Sequence, residues 1–452
     1  MRRRTRTHRT GLLLGLLLGI SGLFITPSLY WSLAGFKDAT PKQQPPSLLS
    51  EDDPSSTKER FAWQPVNNEL LDNDIKDAPL EAPSEAIQPT IGSAVVFDDN
   101  YEFRLKVPFY VYDNGLNWAD TTTPEGIPIG ETEYPDFKHS DDYWMLMSTF
   151  NHPMRTTDPS EAKLFFVPLL MNLPPFLWKY RVGTYCIHNR TTCFDHVDAI
   201  DVVERMDALL GESEYFQRSN GADHVLVLSH FFARSDRKNK FKTCRNMLSC
   251  NRVVFENHPQ TTPEAALPYR ITLPSLYVAN HSGCEATDNK TADFAMIASL
   301  MPKKKHFQDR RNICQWLKEG NHSYSVCGEG EMCPALAEAK YGFHVRGDTF
   351  GSNRLMDTIM TDMVPIFTNV KQYNILPDFA PVDKFGYFVD LANRRTFDQS
   401  INAILATSDE EYRSKRSFIK KYKSLVDFRS GVPFDEYMAS FAKRLGMQQD
   451  DD

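Results

Sequence analysis

The stretch YGFHVRGDTFGSNRLMDTIMTDMVPIF, Tyr341 to Phe367, is the part of the chain densest in residues that point at chemistry. It reads as strand, glycine-containing loop, helix and strand again. Phe343, His344 and Val345 run into Arg346, Gly347 and Asp348. Ser352 stands at an N-cap position, Leu355, Ile359 and Met363 follow at helical spacing, and Val364 to Phe367 restart an extended run. Such a unit points backbone N–H groups and the positive end of a helix into one loop, where Arg346 and Arg354 add two cations. The loop suits a phosphate or diphosphate. The plainer alternative is an ordinary strand–helix–strand unit with solvated charges.

Working outward, VPFYVY from Val107, KLFFVPLL from Lys163 and HVLVLS from His224 are short, nearly continuous apolar runs, the pattern of strands buried on both faces. Val197, Ile200, Val203, Met206 and Leu210 share one helical face that ends at Gly211. A second strand–helix series begins near Phe294. The alternation predicts an α/β fold with parallel sheets. Two helices close the chain, EEYRSKRSFIKKYKSLVDF and FDEYMASFAKRL, and are expected at a domain junction. No internal repeat is evident.

Of 452 residues, the first ten hold five arginines, Arg2, Arg3, Arg4, Arg6 and Arg9. The uncharged run 11–36 that follows exceeds the roughly 20 apolar residues a membrane helix needs. Arginines before the span and Lys37-Asp38 after it predict a signal anchor with the N-terminus cytosolic and the body lumenal. Residues 37–100, rich in proline, serine and acids, read as a flexible stem. The net charge of -8 supplies no broad basic field, which argues against nucleic acid as a partner.

All eight cysteines, Cys186, Cys193, Cys244, Cys250, Cys284, Cys314, Cys327 and Cys333, fall in the expected lumenal body, where disulfides persist. Short loops suggest the pairs 186–193, 244–250 and 327–333. No CxxC supports zinc. Asn189, Asn280, Asn289 and Asn321 open N-glycosylation sequons.

The opening stretch resembles the signature of the exostosin family of glycosyltransferases at Phe343, Arg346, Gly347, Ser352, Arg354, Asp357, Ile359, Val364 and Pro365. A second block, FNHPMRTTDPSEAKLFFVPLL from Phe150 to Leu170, is similar at Arg155, Thr156, Asp158, Pro159, Ala162, Phe165, Phe166, Val167 and Pro168. Weaker echoes are FYVYD ending at Asp113, RITLPS at Arg270 to Ser275, and KKKHFQDRR ending at Arg311. Together they cover roughly residues 105 to 390 in order. The chain departs from the pattern at His344 and Val345, and at Asp362 and Met363.

The resemblance implies a GT-B architecture, two Rossmann-like domains facing a cleft: an acceptor domain over 101–285, a nucleotide-sugar-binding domain over 286–430, and a C-terminal helix and acidic tail over 431–452. It implies an inverting transfer from a UDP-sugar to a glycan or polysaccharide in the Golgi, and leaves room for homo- or hetero-oligomers with other transferases. Losing a diphosphate requires positive charge, and the acceptor hydroxyl requires a base. Arg346, Gly347, Asp348, Ser352 and Arg354 would meet the donor, with Arg310 or Arg311 after the first strand of the second domain. Asp357 would grip the ribose, or form an i,i+3 ion pair with Arg354.

Asp113 and His230 follow apolar runs and are the candidate bases. Each is also open to a structural reading, as is the pair His152 and Asp158 beside prolines. No cofactor or metal ion is expected. Asp72-Asn73-Asp74 lies in the stem without a preceding strand, which leaves Asp98-Asp99, after Val95 to Phe97, as the alternative metal site. A non-catalytic lumenal scaffold or lectin-like protein would keep the same fold.

Overall fold

The computed structural model describes residues 95–112, 129–131, 134–170, 172–173, 184–187, 192–195, 199–229, 244–256, 270–279, 284 and 286–449. The expected tail, membrane span and most of the stem, with Asp113, His230, Asn189 and Asn280, lie outside them. Among the described residues no helix is long and apolar enough to cross a membrane. The chain divides into Met1–Ala78 and a compact unit, Pro79–Asp452.

Within that unit the strands are β1 (Phe109–Val111), β2 (Arg155–Thr156), β3 (Leu164–Val167), β4 (Thr184–Ile187), β5 (Thr192–Asp195), β6 (His224–Leu228), β7 (Asn251–Val254), β8 (Thr272–Pro274), β9 (Ala292–Ile297), β10 (Tyr324–Gly328), β11 (Ala339–His344), β12 (Val364–Phe367) and β13 (Tyr387–Phe388). They form a six-stranded sheet, β2-β1-β3-β6-β7-β8, and a five-stranded one, β10-β9-β11-β12-β13. Every pairing in both is parallel. The three apolar runs of the first half became β1, β3 and β6. β3 and β6 are buried at every position, as strands covered by helices on both faces must be.

Counted within its own half, each sheet runs 2-1-3-4-5, and the first adds a sixth strand. This order places a topological switch between the first and third strands, where ligands enter open α/β sheets. In the second half that point lies between β9 and β11.

The helix expected to end at Gly211 spans Ala199–Glu212 and buries Met206 and Leu210. Of the two closing helices, Asp409–Tyr422 stays with the second sheet, whose β12 it contacts. Only Val432–Arg444 crosses back to the first half. There Phe434 packs 5.4 Å from Phe109 and 5.5 Å from Phe166 between ring centroids. Asp435 accepts from the Tyr101 hydroxyl (2.7 Å), the Arg104 and Leu105 amides (2.6 and 3.0 Å) and lies 3.0 Å from His152 Nε2. His152 Nδ1 accepts from the Met154 amide, and Asp158 from Ser160, so both belong to turns of the second block.

The cysteines correct the expected pairing. Cys284 bonds Cys333 and Cys314 bonds Cys327, while Cys244 and Cys250 are free and buried. A short helix, Arg245–Leu248, separates the last two, and a helical rise over six residues of about 9 Å overshoots a disulfide's Cα span. Cys327 on β10 instead meets Cys314 on the helix Gln308–Glu319, a contact made by packing. Cys186 stands opposite Cys193 in the antiparallel register of β4 and β5.

Candidate active site

The signature folds as read. β11 leads into the loop, Ser352 caps the helix Asn353–Met360 by accepting from the Arg354 amide at 3.2 Å, and β12 follows. The loop forms one wall of a cleft of about 640 Å³. Ser299, Lys304, Phe307 and Arg310, beyond β9, continue the same wall, and Lys138, His139, Phe255 and Tyr277 face them from the first half. The cleft therefore opens at the switch between β9 and β11.

Five of the expected donor residues, Arg310, Gly347, Asp348, Ser352 and Arg354, line this cleft. Arg310 is nearly buried; its Nε and Nη1 donate to the Arg346 and Ser299 carbonyls at 2.9 Å, and its guanidinium lies 3.7 Å over the Phe307 ring. Burial, and then the charge of Arg354, push its pKa down to about 10 against the pull of Asp348. Arg354 donates from Nη1 to Ser352 Oγ at 3.1 Å, while its Nε is buried without a hydrogen-bond partner. Burial lowers its pKa as well, opposed by Asp357. Two desolvated guanidiniums at one wall make a site that gains by receiving an anion.

Other expected residues are placed differently. Arg311 holds the Met301 and Lys304 carbonyls and Gln308, and is not on the cleft wall. Arg346 is exposed and lies 4.7 Å over the Phe350 ring. Asp348 bonds Lys304 and His306, each at 2.8 Å, and these hydrogen bonds, that from Lys304 first, hold its carboxyl below the usual range. Asp357 is fully buried beneath its helix, accepts from Asn353 Nδ2 at 3.1 Å and borders a small cavity with Ala295, Gly342 and Arg354. It borders that cavity beside Arg354 and is not among the residues that line the cleft.

Two of the loop amides are also engaged. Gly347 N–H donates to Thr349 O and Gly351 N–H to Glu256. A Cβ at Gly347 would stand 3.5 Å from Arg310 Nη2, an ordinary van der Waals distance, so space does not demand glycine there. His344, wholly buried at the end of β11, has its pKa held down to about 3 by burial and then by Arg354, which keeps the ring neutral beside the arginines.

Asp98 accepts from the Asn100 amide in an exposed turn, and neither Asp98 nor Asp99 lines the cleft. Among the described residues no cluster of His, Cys, Asp or Glu has the geometry to hold a metal ion. Lys138, His139, Glu256 and Tyr277 were missed by sequence reading. Glu256 had a signal, since it is an acid that directly follows the apolar run Val253 to Phe255.

The model of the Exostosin GT47 domain matches residues 106–403, about two thirds of the chain. The chain belongs to the exostosin GT47 family. A curated relative of this exostosin protein, named "Probable xyloglucan galactosyltransferase GT20" in Arabidopsis thaliana, is 21% identical over 319 residues, 64% of this chain and 53% of the relative. The chain thus spans about half that relative's length. Among solved structures, TarM aligns over 57% of this chain and 61% of its own with a TM-score of 0.33 and 12% identity. A GtfA/B complex aligns over 59% and 64% with a TM-score of 0.32 and 13% identity.

Proposed function

We propose that this chain is an inverting glycosyltransferase that moves a sugar from a UDP-sugar to a glycan or polysaccharide hydroxyl without a bound metal ion. The observation that carries the reading is the meeting of Arg310 and Arg354 on one wall of a cleft between two parallel sheets. The two-sheet plan fits the GT-B arrangement, family membership points to sugar transfer, and the curated relative's name points to a galactosyl group and a polysaccharide acceptor.

In this reading the diphosphate lies against Arg310, Arg354 and the capped N-terminus at Ser352, which stabilise the charge that grows as the glycosidic bond breaks. Asp357 acts through Arg354 by holding its charge. A single in-line displacement inverts the anomeric centre and needs one base on the acceptor side. Asp113 comes next in sequence after Tyr112, past β1, and His230 after Ser229, past β6, which is the sequence position the role requires.

Two disulfides suit an oxidising lumen, in line with a type II protein anchored by residues 11–36 in the Golgi membrane. Asn289 and Asn321 are exposed, as acceptors of N-glycans must be. The reading is tested by measuring UDP binding and transfer from a panel of UDP-sugars, with and without chelator, for wild type, Arg354→Ala and Asp98→Ala. Loss of UDP affinity in Arg354→Ala with chelator-insensitive turnover is expected. Loss of turnover in Asp98→Ala together with chelator sensitivity would transfer the role to Asp98-Asp99, and UDP binding without turnover on any acceptor would favour the scaffold.

A further inference from the structure

Glu256 is the residue through which the first half grips the signature loop. It follows β7, sits 3% exposed, and adopts φ 54°, a left-handed backbone that a glutamate enters only when its surroundings impose it. Its Oε1 accepts three hydrogen bonds: from the Tyr277 hydroxyl at 2.8 Å, the Thr349 hydroxyl at 2.6 Å and the Gly351 amide at 2.8 Å. Tyr277 and Glu256 belong to the first half, Thr349 and Gly351 to the loop that carries Ser352 and Arg354. A Cβ at Gly351 would collide with Glu256 Oε1 and with the Tyr277 ring, so glycine is required for the approach.

Resting on the donor-site reading above, we propose that Glu256 is a positioning residue for donor binding. It holds Thr349 and Gly351 so that Ser352 and Arg354 face the cleft, and it makes the loop's donor-ready shape depend on contact between the two halves. Glu256 is not on the cleft wall itself, so it acts through the loop and touches neither sugar nor phosphate. A carboxamide offers the same oxygen to the same three donors. The role therefore survives loss of charge and fails on loss of the acceptor.

The test uses the full chain. UDP affinity is measured by calorimetry and amide exchange over 347–353 by mass spectrometry for wild type, Glu256→Ala, Glu256→Gln and Thr349→Val. The alanine variant is expected to bind UDP about tenfold more weakly and to exchange faster in the loop, with the glutamine variant close to wild type. Thr349→Val removes one of the same bonds from the other side and should shift both readouts the same way, which covers the case of an alanine variant that does not fold. Unchanged or tighter UDP binding in Glu256→Ala overturns the proposal, as does a glutamine variant that binds UDP normally but transfers no sugar, the signature of a base. A wild type that binds no UDP overturns the donor-site reading first and this proposal with it; wild-type binding that ignores Glu256 overturns the proposal alone.

Discussion

In the first half, the acids that open the helix Asp141–Thr149 turn inward and are satisfied by polar groups that follow the strands. Asp141 accepts from Ser229 at 2.7 Å, from Ser275 at 2.5 Å and from Asn172 at 3.1 Å; Asp142 accepts from Tyr134 at 2.7 Å and the Asn172 amide at 2.9 Å. In the second half, the first turns of the helices that follow β9 and β11 present Arg310 and Arg354 to a cleft, and Arg354 keeps a donor without a partner. The strand order is the same. Topology thus supplies a place for chemistry, and the residues beyond the strands decide whether it is closed by a network or left open for an anion.

The largest effect should come from cutting the tie between the halves. Asp435→Ala strands two backbone amides, a tyrosine hydroxyl and His152, and is expected to cost about 3–5 kcal/mol in denaturant unfolding. Burial raises the Asp435 carboxyl, but the hydrogen bonds from His152, Arg104, Tyr101 and Leu105 outweigh it and hold its pKa below the ordinary value. Its contribution is therefore present above pH 4 and fades as acid protonates it, so the variant should lose less to wild type at low pH.

The closed network makes the opposite prediction. Burial lifts Asp141 to about 6, and burial with the charge of Asp141 lifts Asp142 well above the usual carboxylate range as well. A carboxyl raised on folding stabilises below its unfolded pKa and loses that contribution as pH rises toward 6, on the order of 3 kcal/mol for Asp141. Asp141→Asn should flatten the stability profile between pH 4 and 6; an unchanged slope would show that the network is not the source.

The open end is sharpened by Arg354→Ala. If Arg354 meets the diphosphate as proposed, removing this charged donor should weaken UDP binding by about 1.5–3 kcal/mol, read by calorimetry, with little change in unfolding midpoint. The smallest effect belongs to the rim. Asp348→Asn loosens an ion pair whose carboxylate is 70% exposed, and a stability change under about 1 kcal/mol is expected in thermal melts, shrinking with salt.

Much of the second half was legible because its information is local. Ser352, the spacing of Leu355 and Ile359, and the run Val364 to Phe367 specify a capped helix between two strands within one short segment. The apolar runs that became β1, β3 and β6 were legible for the same reason. That Arg310 rather than Arg311 lines the cleft, and that Asp357 is buried beneath its helix, was not legible, because sequence spacing gives a helical face but not what that face packs against. The disulfides failed likewise: proximity in sequence favoured Cys327 with Cys333, yet a strand lies nearest the helix stacked on it.

By itself, then, the sequence determined the α/β alternation, the signature unit and the family, since periodicity, capping and turn chemistry act over a few residues. Tertiary structure alone decided which arginines share a wall, which cysteines meet, and that Glu256 spans from one half to the other. Those outcomes depend on how sheets, helices and halves pack, a long-range property that short-range patterns do not encode.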